Sequence, residues 1–187
     1  MSGSVTLRFD KGTLLVEGLV QAPADEQWSC DWDRRVGAWR CEAIERPRVE
    51  AALDQVFGQE WTNEVPEPPA VALSEADVPE LRAEQAEALD AWQARGGRGQ
   101  IIMPTGTGKT VLALAAIERV KKATLVVAPV RDLMYQWHRR ILQDLGYDAG
   151  IIGDNRYTLK PICVTTYDSA YIHMPEIGHR FELVEDP

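Results

Sequence analysis

The amino-acid sequence predicts an α/β protein, in which a small α+β domain precedes a larger domain built on a parallel sheet. Three observations carry that reading. After about residue 79 helical and strand patterns alternate, which is how strands joined by crossover helices are encoded. The strand candidates there are apolar on both faces, as strands covered by helices on both sides must be. Upstream, Glu64-Val65-Pro66-Glu67-Pro68-Pro69 places three prolines in six residues, disfavouring helix and removing ladder donors, and so divides off a first region.

The two regions also differ in charge. The 187 residues carry 29 acidic and 20 basic side chains, a net charge of −9; 15 acidic and 7 basic residues lie up to position 78, and 14 and 13 beyond it. The expected organisation is a small α+β domain over 1–63, a Pro-rich acidic linker over 64–78, and the parallel-sheet domain over 79–187. A protein this acidic is repelled by phosphate backbones as a whole, so any nucleic-acid contact has to be local.

In the first region Val5-Thr6-Leu7-Arg8-Phe9 alternates apolar and polar, Asp10-Lys11-Gly12 turns, and Thr13-Leu14-Leu15-Val16-Glu17-Gly18 returns, predicting a hairpin. A second pair of strands, Trp28 to Asp33 and Ala38 to Ala43, flanks Arg34-Arg35-Val36-Gly37, and a helix runs from about Pro47 to Phe57. In the second region Leu81, Ala88, Leu89 and Trp92 line one face of a helix with Pro79 near its first turn and Gly96-Gly97 at its end. Ile101-Ile102-Met103, a glycine-rich loop, a helix from Lys109 to about Lys122 and Thr124-Leu125-Val126-Val127-Ala128 then make a βαβ unit. Leu133, Trp137, Ile141 and Leu145, helped by Met134 and Leu142, stripe the next helix, and Pro161-Ile162-Cys163-Val164 reads as a further buried strand.

The chemistry lies in Pro104-Thr105-Gly106-Thr107-Gly108-Lys109-Thr110, between a predicted strand and a predicted helix. Glycines at 106 and 108 let backbone N–H groups turn inward around phosphate oxygens, and the helix adds the positive end of its dipole. Lys109 reaches the β and γ phosphates; the Thr110 hydroxyl is placed to ligate Mg²⁺, which neutralises charge in phosphoryl transfer. The site is read as Thr105, Gly106, Thr107, Gly108, Lys109 and Thr110, with ATP and Mg²⁺ as cofactors. A strict G-x-x-x-x-G-K-[ST] needs glycine at 103, where this chain has Met103.

The Pro-Thr-Gly-x-Gly-Lys-Thr form resembles motif I of superfamily 2 helicases and translocases, which accept other residues at that first position. Leu81-Arg82-Ala83-Glu84-Gln85 resembles the Leu-Arg-x-x-Gln element that recognises adenine in related enzymes, implying Arg82 and Gln85 at the nucleotide. Read from the residues alone, Gln85 lies four residues from both Leu81 and Leu89, on an apolar stripe where a carboxamide needs a partner. Val127-Ala128-Pro129 with Leu133, Gln136 and Trp137 resembles motif Ia, and Val164-Thr165-Thr166-Tyr167-Asp168-Ser169 resembles the Thr-Thr-Tyr-Asp segment; both contact the tracking strand in relatives. That implies Arg131, Thr165 and Thr166 at nucleic acid, whereas Leu133 and Trp137, sharing a stripe, are read as core.

Taken together, the small first domain, these motifs and Arg180-Phe181-Glu182-Leu183-Val184 resemble archaeal members of the xeroderma pigmentosum group B helicase family. The resemblance implies a RecA-like fold for the second domain and a DNA-distortion recognition module for the first. The segment from Trp32 to Arg40 stands where that module's hairpin would be. Trp32, Arg34, Arg35 and Arg40 supply rings to stack on bases and guanidinium groups to hold phosphates; the alternative is tryptophans packing a small sheet with arginines solvated around it.

A superfamily 2 motor also needs an Asp-Glu-x-His box on the strand after Thr-Thr-Tyr. Here Phe181-Glu182-Leu183-Val184 runs into Glu185-Asp186-Pro187, so the RecA-like domain reads as incomplete and no catalytic residue is assigned. An arginine finger is worth about 10³ to 10⁵ in rate and a general base about 10² to 10⁴, so without them the expectation is nucleotide binding without turnover. The function expected is that of the N-terminal part of an ATP-dependent DNA helicase or translocase, of the repair or transcription-coupled type. Its partners would be DNA and, in trans, a second RecA-like domain or a nuclease or repair protein. Two alternatives stay open: a non-catalytic DNA- or partner-binding protein with a relic phosphate loop, and the start of a restriction-type translocase. Cys30, Cys41 and Cys163 form no Cys-x-x-Cys pair, which predicts reduced thiols and a cytoplasmic location, and no apolar run approaches the roughly 18 residues that span a bilayer.

Overall fold

The computed structural model describes residues 4–23, 28–73, 76–104 and 106–185. The chain forms two compact units, Met1–Glu67 with Tyr171–Arg180, and Pro68–Ala170 with Phe181–Pro187. Each has its own sheet.

In the first unit β1 (Val5–Asp10) and β2 (Thr13–Glu17) form the expected hairpin, turning through Lys11 and Gly12, both at positive φ. β3 (Asp31–Asp33) and β4 (Ala38–Glu42) make the second pair, and α1 spans Arg46–Phe57 with Pro47 in its first turn, where the missing N–H costs nothing. The sequence reading has no counterpart for β5 (Trp61–Asn63), which runs parallel to β1 and completes the order β3-β4-β2-β1-β5. Leu7, Leu14 and Val16 pack with Val49 and Leu53 of α1 to make the core.

The thiol expectation is corrected here. Cys30 and Cys41 form a disulfide, while Cys163 is buried and outside it. A spacing of 11 residues hides the reason: Asp31 pairs with Arg40, so the antiparallel register sets the two cysteines opposite each other with Cα atoms 4.4 Å apart. The location inferred from reduced thiols loses that support; what stands is that no described helix is long and apolar enough to cross a membrane.

The stretch 64–78, read as a linker, packs where it is described. Val65 is buried in the first core, and Val71 and Leu73 are buried in the second. In the second unit α2 spans Ala83–Ala94, starting after Arg82 and leaving Pro79 outside the helix. α3 (Lys109–Val120), β6 (Thr124–Ala128), α4 (Arg131–Leu145), β7 (Gly150–Gly153), β8 (Arg156–Tyr157) and β9 (Ile162–Thr166) follow. α5 (Tyr167–Ile177) crosses from the second unit into the first, and β10 (Leu183–Glu185) closes the order β10-β6-β9-β7-β8, parallel except for the β7–β8 hairpin.

Two expectations are corrected. Ile101-Ile102-Met103 is in no strand: Ile102 is 88% exposed, because an apolar run becomes a strand only beside an edge it can pair with. On α4 the buried stripe is Met134, Trp137, Ile141 and Leu145, and Leu133 faces outward at 38% exposure. Steps of three and four residues starting from Met134 stay on one face, and Leu133 falls one position off it.

Candidate nucleotide-binding site

The site is built from the contact between α2 and α3. Leu89 packs against Leu112 and Ala116, with Leu81, Trp92, Ile101 and Met103 around them. This seats the first turn of α2 against the loop that leads into α3. Gly106 and Gly108 both have positive φ, +79° and +87°, and Gly108 is the residue before the first turn of α3. Only glycine takes that conformation without a Cβ penalty. The Thr107 hydroxyl donates to the Pro104 carbonyl at 2.6 Å, closing the loop on itself. Thr105 lies outside the described residues.

Lys109 is thus the first residue of α3, exposed and in no ion pair among the described residues. Thr110 follows it in the first turn, where N–H groups have no partner inside the helix and the dipole is positive. A cation, a hydroxyl and free amide donors at one helix start are the donor set for a phosphate tail with its divalent ion.

Gln85 is 3% exposed, and both its amide oxygen and its amide nitrogen are hydrogen-bonded. Its Oε1 accepts from the Arg82 backbone N–H at 2.8 Å, and its Nε2 donates to the Thr107 carbonyl at 2.9 Å and reaches the Gly108 carbonyl at 3.4 Å. Arg82 itself is exposed.

The residues read as nucleic-acid contacts lie in different settings. Thr165 is fully buried on β9 and donates to the Ile152 carbonyl at 2.6 Å. Thr166, just before α5, accepts from the Ser169 N–H at 3.4 Å and so caps that helix. Arg131 opens α4 and pairs with Asp154 at 2.7 Å. The Tyr135 hydroxyl donates to the other oxygen of that carboxylate, and the Arg156 guanidinium lies over the Tyr135 ring. Those two hydrogen bonds, Tyr135's the larger, hold the Asp154 carboxyl below the usual carboxylate range. The Asp154, Tyr135 and Arg156 cluster escaped the sequence reading, because only the hairpin turn at Asp154 and Asn155 brings it to α4.

In the first unit Trp32 is 43% exposed and packs edge-on against Trp39, which in turn meets Trp28. Arg34 is exposed and in no ion pair among the described residues, whereas Arg35 binds Asp33, and Arg40 bridges Asp33 and Asp10. Hydrogen bonds from the Arg35 side chain and backbone, then from Arg40, bring the Asp33 carboxyl down to about 2. A carboxylate with a depressed folded pKa stabilises the fold above its unfolded value and stops doing so as pH falls through the folded one. The first unit therefore loses urea resistance between about pH 4 and pH 2, and Asp33→Asn flattens that slope; an equal slope in wild type and variant would refute the assignment.

Comparison with known proteins adds to this geometry. A family model described as type III restriction enzyme, res subunit, matches residues 79–184, and one described as the xeroderma pigmentosum group B helicase damage recognition domain matches residues 7–56. Over 108 residues the chain is 49% identical to the DNA 3'-5' translocase XPB2 of Sulfurisphaera tokodaii, a match covering 58% of this chain and 24% of that protein. Over 90 residues it is 31% identical to the DNA 3'-5' helicase XPB of Kineococcus radiotolerans, covering 46% of this chain and 16% of that one. The matched stretches thus span a quarter or less of these curated relatives. Among solved structures, the UvsW helicase from bacteriophage T4 aligns with a TM-score of 0.49 at 14% identity, over 98% of this chain and 82% of that one.

Proposed function

Because the chain belongs to the family of the type III restriction enzyme res subunit, and within it is of the XPB helicase kind, we propose that it serves as the N-terminal part of an ATP-dependent DNA helicase or translocase. The observation that carries this reading is the loop before α3, with two left-handed glycines and Lys109 exposed at the helix start. Loop and helix amides, Lys109 and Thr110 bind the triphosphate, and Arg82, exposed just before α2, is a further candidate at the nucleotide. Thr110 holds Mg²⁺, which when bound neutralises phosphate charge. The names of the relatives favour this reading over a relic loop and over a restriction-type motor.

DNA is the proposed partner. Of the residues considered for it, Trp32 and Arg34 are exposed, Arg34 with no ion pair among the described residues; Arg35 and Arg131 are exposed and share their guanidinium groups with carboxylates, and Arg40 is partly buried between two of them. These 187 residues contain no Asp-Glu-x-His box, so tested by themselves they bind nucleotide without turnover. The test is a titration of a fluorescent ATP analogue with Mg²⁺, read by anisotropy, beside a phosphate-release assay. Saturable binding with no release is expected; a folded chain that binds nothing overturns the proposal.

A further inference from the structure

Cys30 and Cys41 close a loop, residues 31–40, that contains Trp32, Arg34, Arg35 and Arg40, all of the first-unit residues considered for DNA. The two strands of this loop are held very differently. β4 lies inside the sheet, paired with β2 on one side and β3 on the other. β3 is three residues long, stands at the end of the strand order and pairs, among the described residues, only with β4, through Asp31–Arg40, Trp32–Trp39 and Asp33–Ala38. None of its side chains joins the core of Leu7, Leu14, Val49 and Leu53. An edge strand this short, with so little apolar surface buried, belongs to the low-stability end of a fold.

It is fastened at its two ends. At the tip, the Asp33 carbonyl accepts from the Gly37 N–H at 2.9 Å and the Asp33 carboxylate accepts from the Arg35 N–H at 3.0 Å, closing the turn on itself. Arg40 links that carboxylate to Asp10 through ion pairs that water can reach. At the root, Cys30 is 6% exposed and Cys41 3%; both belong to the core, and Cys41 stands opposite Leu14 of β2. Trp28, two residues upstream, packs against that core only in part. The disulfide is therefore the covalent, buried attachment of β3 to the unit.

We propose that Cys30 and Cys41 form a redox lock on this hairpin: as a disulfide they hold β3 against β4 and present Trp32 and Arg34 as one preorganised surface for DNA, and as two thiols they let β3 leave the sheet edge. The inference rests on the DNA reading above. The reaction is exchange with a low-molecular-weight disulfide. One cysteine thiolate attacks the reagent, releasing one thiol and leaving a mixed disulfide; the second attacks that bond, forming Sγ–Sγ and releasing the other thiol. The protein gives up two electrons and two protons, and the reagent becomes two thiols. A dithiol reverses the step. Because both cysteines are buried, attack on the folded chain waits for β3 to open.

The whole chain is prepared with oxidised glutathione and, separately, with dithiothreitol. Thiols are counted after denaturation: one, from Cys163, is expected in the first preparation and three in the second. Amide hydrogen exchange is followed over residues 5–17 and 31–40, and a fluorescein-labelled duplex with a central unpaired stretch is titrated by anisotropy. Removing a cross-link over a loop of this length is expected to speed exchange over 31–40 by about 100-fold, with 5–17 unchanged. DNA binding weakens by about 10-fold as the competent hairpin becomes a minority. The double variant Cys30→Ala, Cys41→Ala is expected to match the reduced chain and to ignore both reagents. If it fails to fold, returning reduced wild type to oxidised glutathione takes its place and should restore binding and protection together. Equal exchange, or equal measurable affinity, in the two preparations overturns the proposal. Three thiols in the first preparation do so too, as does lost protection over 5–17 on reduction, which makes the disulfide a staple for the whole unit. Should neither preparation bind the duplex, the DNA reading fails, and exchange alone then decides whether the couple locks the hairpin.

Discussion

Lys109→Ala lowers the affinity of the chain for Mg²⁺-ATP by about 10- to 100-fold, the equivalent of about 1.5–3 kcal/mol for a hydrogen bond to a charged group. The ammonium group is exposed and makes no ion pair among the described residues, so nothing in the fold depends on its charge. Alanine is also the best helix former, and at the first position of α3 it removes no intrahelical bond. The melting temperature should accordingly stay where it is. This separation gives the experiment its force: a fall in affinity with unchanged stability assigns the loss to the phosphates. Equal affinities in wild type and variant would leave the loop as a structural turn. A parallel fall in stability would mean that Lys109 supports the fold.

The loop is legible in the sequence because its chemistry requires particular residue types at fixed spacing, and Gly106, Gly108 and Lys109 have few other reasons to stand together. The strands at Thr124–Ala128 and Ile162–Thr166 are legible for a related reason: the consecutive apolar residues 125–128 and 162–164 fit a sheet covered on both faces, in which Thr124, Thr165 and Thr166 are buried with them. What stayed hidden depends on pairing across long separations. β5 holds Trp61, Thr62 and Asn63, a run with no strand pattern, and exists because β1 offers it a parallel edge more than 50 residues upstream. Ile101-Ile102-Met103 has the pattern and pairs with no strand among the described residues. The β7–β8 hairpin turns on Asp154 and Asn155, both at positive φ with no glycine between them, so its turn signal is weak.

The same distinction runs through the site. Residue type marked Gln85, Arg35, Arg40 and Arg131 as candidates, but their hydrogen-bond partners decide what each side chain does. Thr107 for Gln85, Asp10 for Arg40 and Asp154 for Arg131 come from other turns of chain, while Arg35 pairs with Asp33 two residues before it. A polar side chain of known chemistry has several possible uses, and packing selects among them.

Gly150→Ala destabilises the second unit by about 3 kcal/mol or more, enough to lower its melting temperature by about 10 °C or more. A methyl group at this position would stand 2.1 Å from the Thr158 carbonyl oxygen, 2.8 Å from Cys163 Sγ and 3.1 Å from the Lys160 nitrogen. Two of the three are backbone atoms, which cannot swing aside as a side chain does. They are fixed from both directions: the Thr158 N–H donates to the Ile151 carbonyl, and the Lys160 N–H is 3.2 Å from Cys163 Sγ. Making room therefore displaces the turn at 158–160 from β7, or β7 from β9, where Gly150 pairs with Cys163. Cys163→Ala alone removes the sulfur contact and leaves the carbonyl, so the double variant should recover only a small part of the loss. A melting temperature for Gly150→Ala within about 2 °C of wild type would show that the turn over Gly150 yields freely, and that the β7–β9 pairing does not require glycine there.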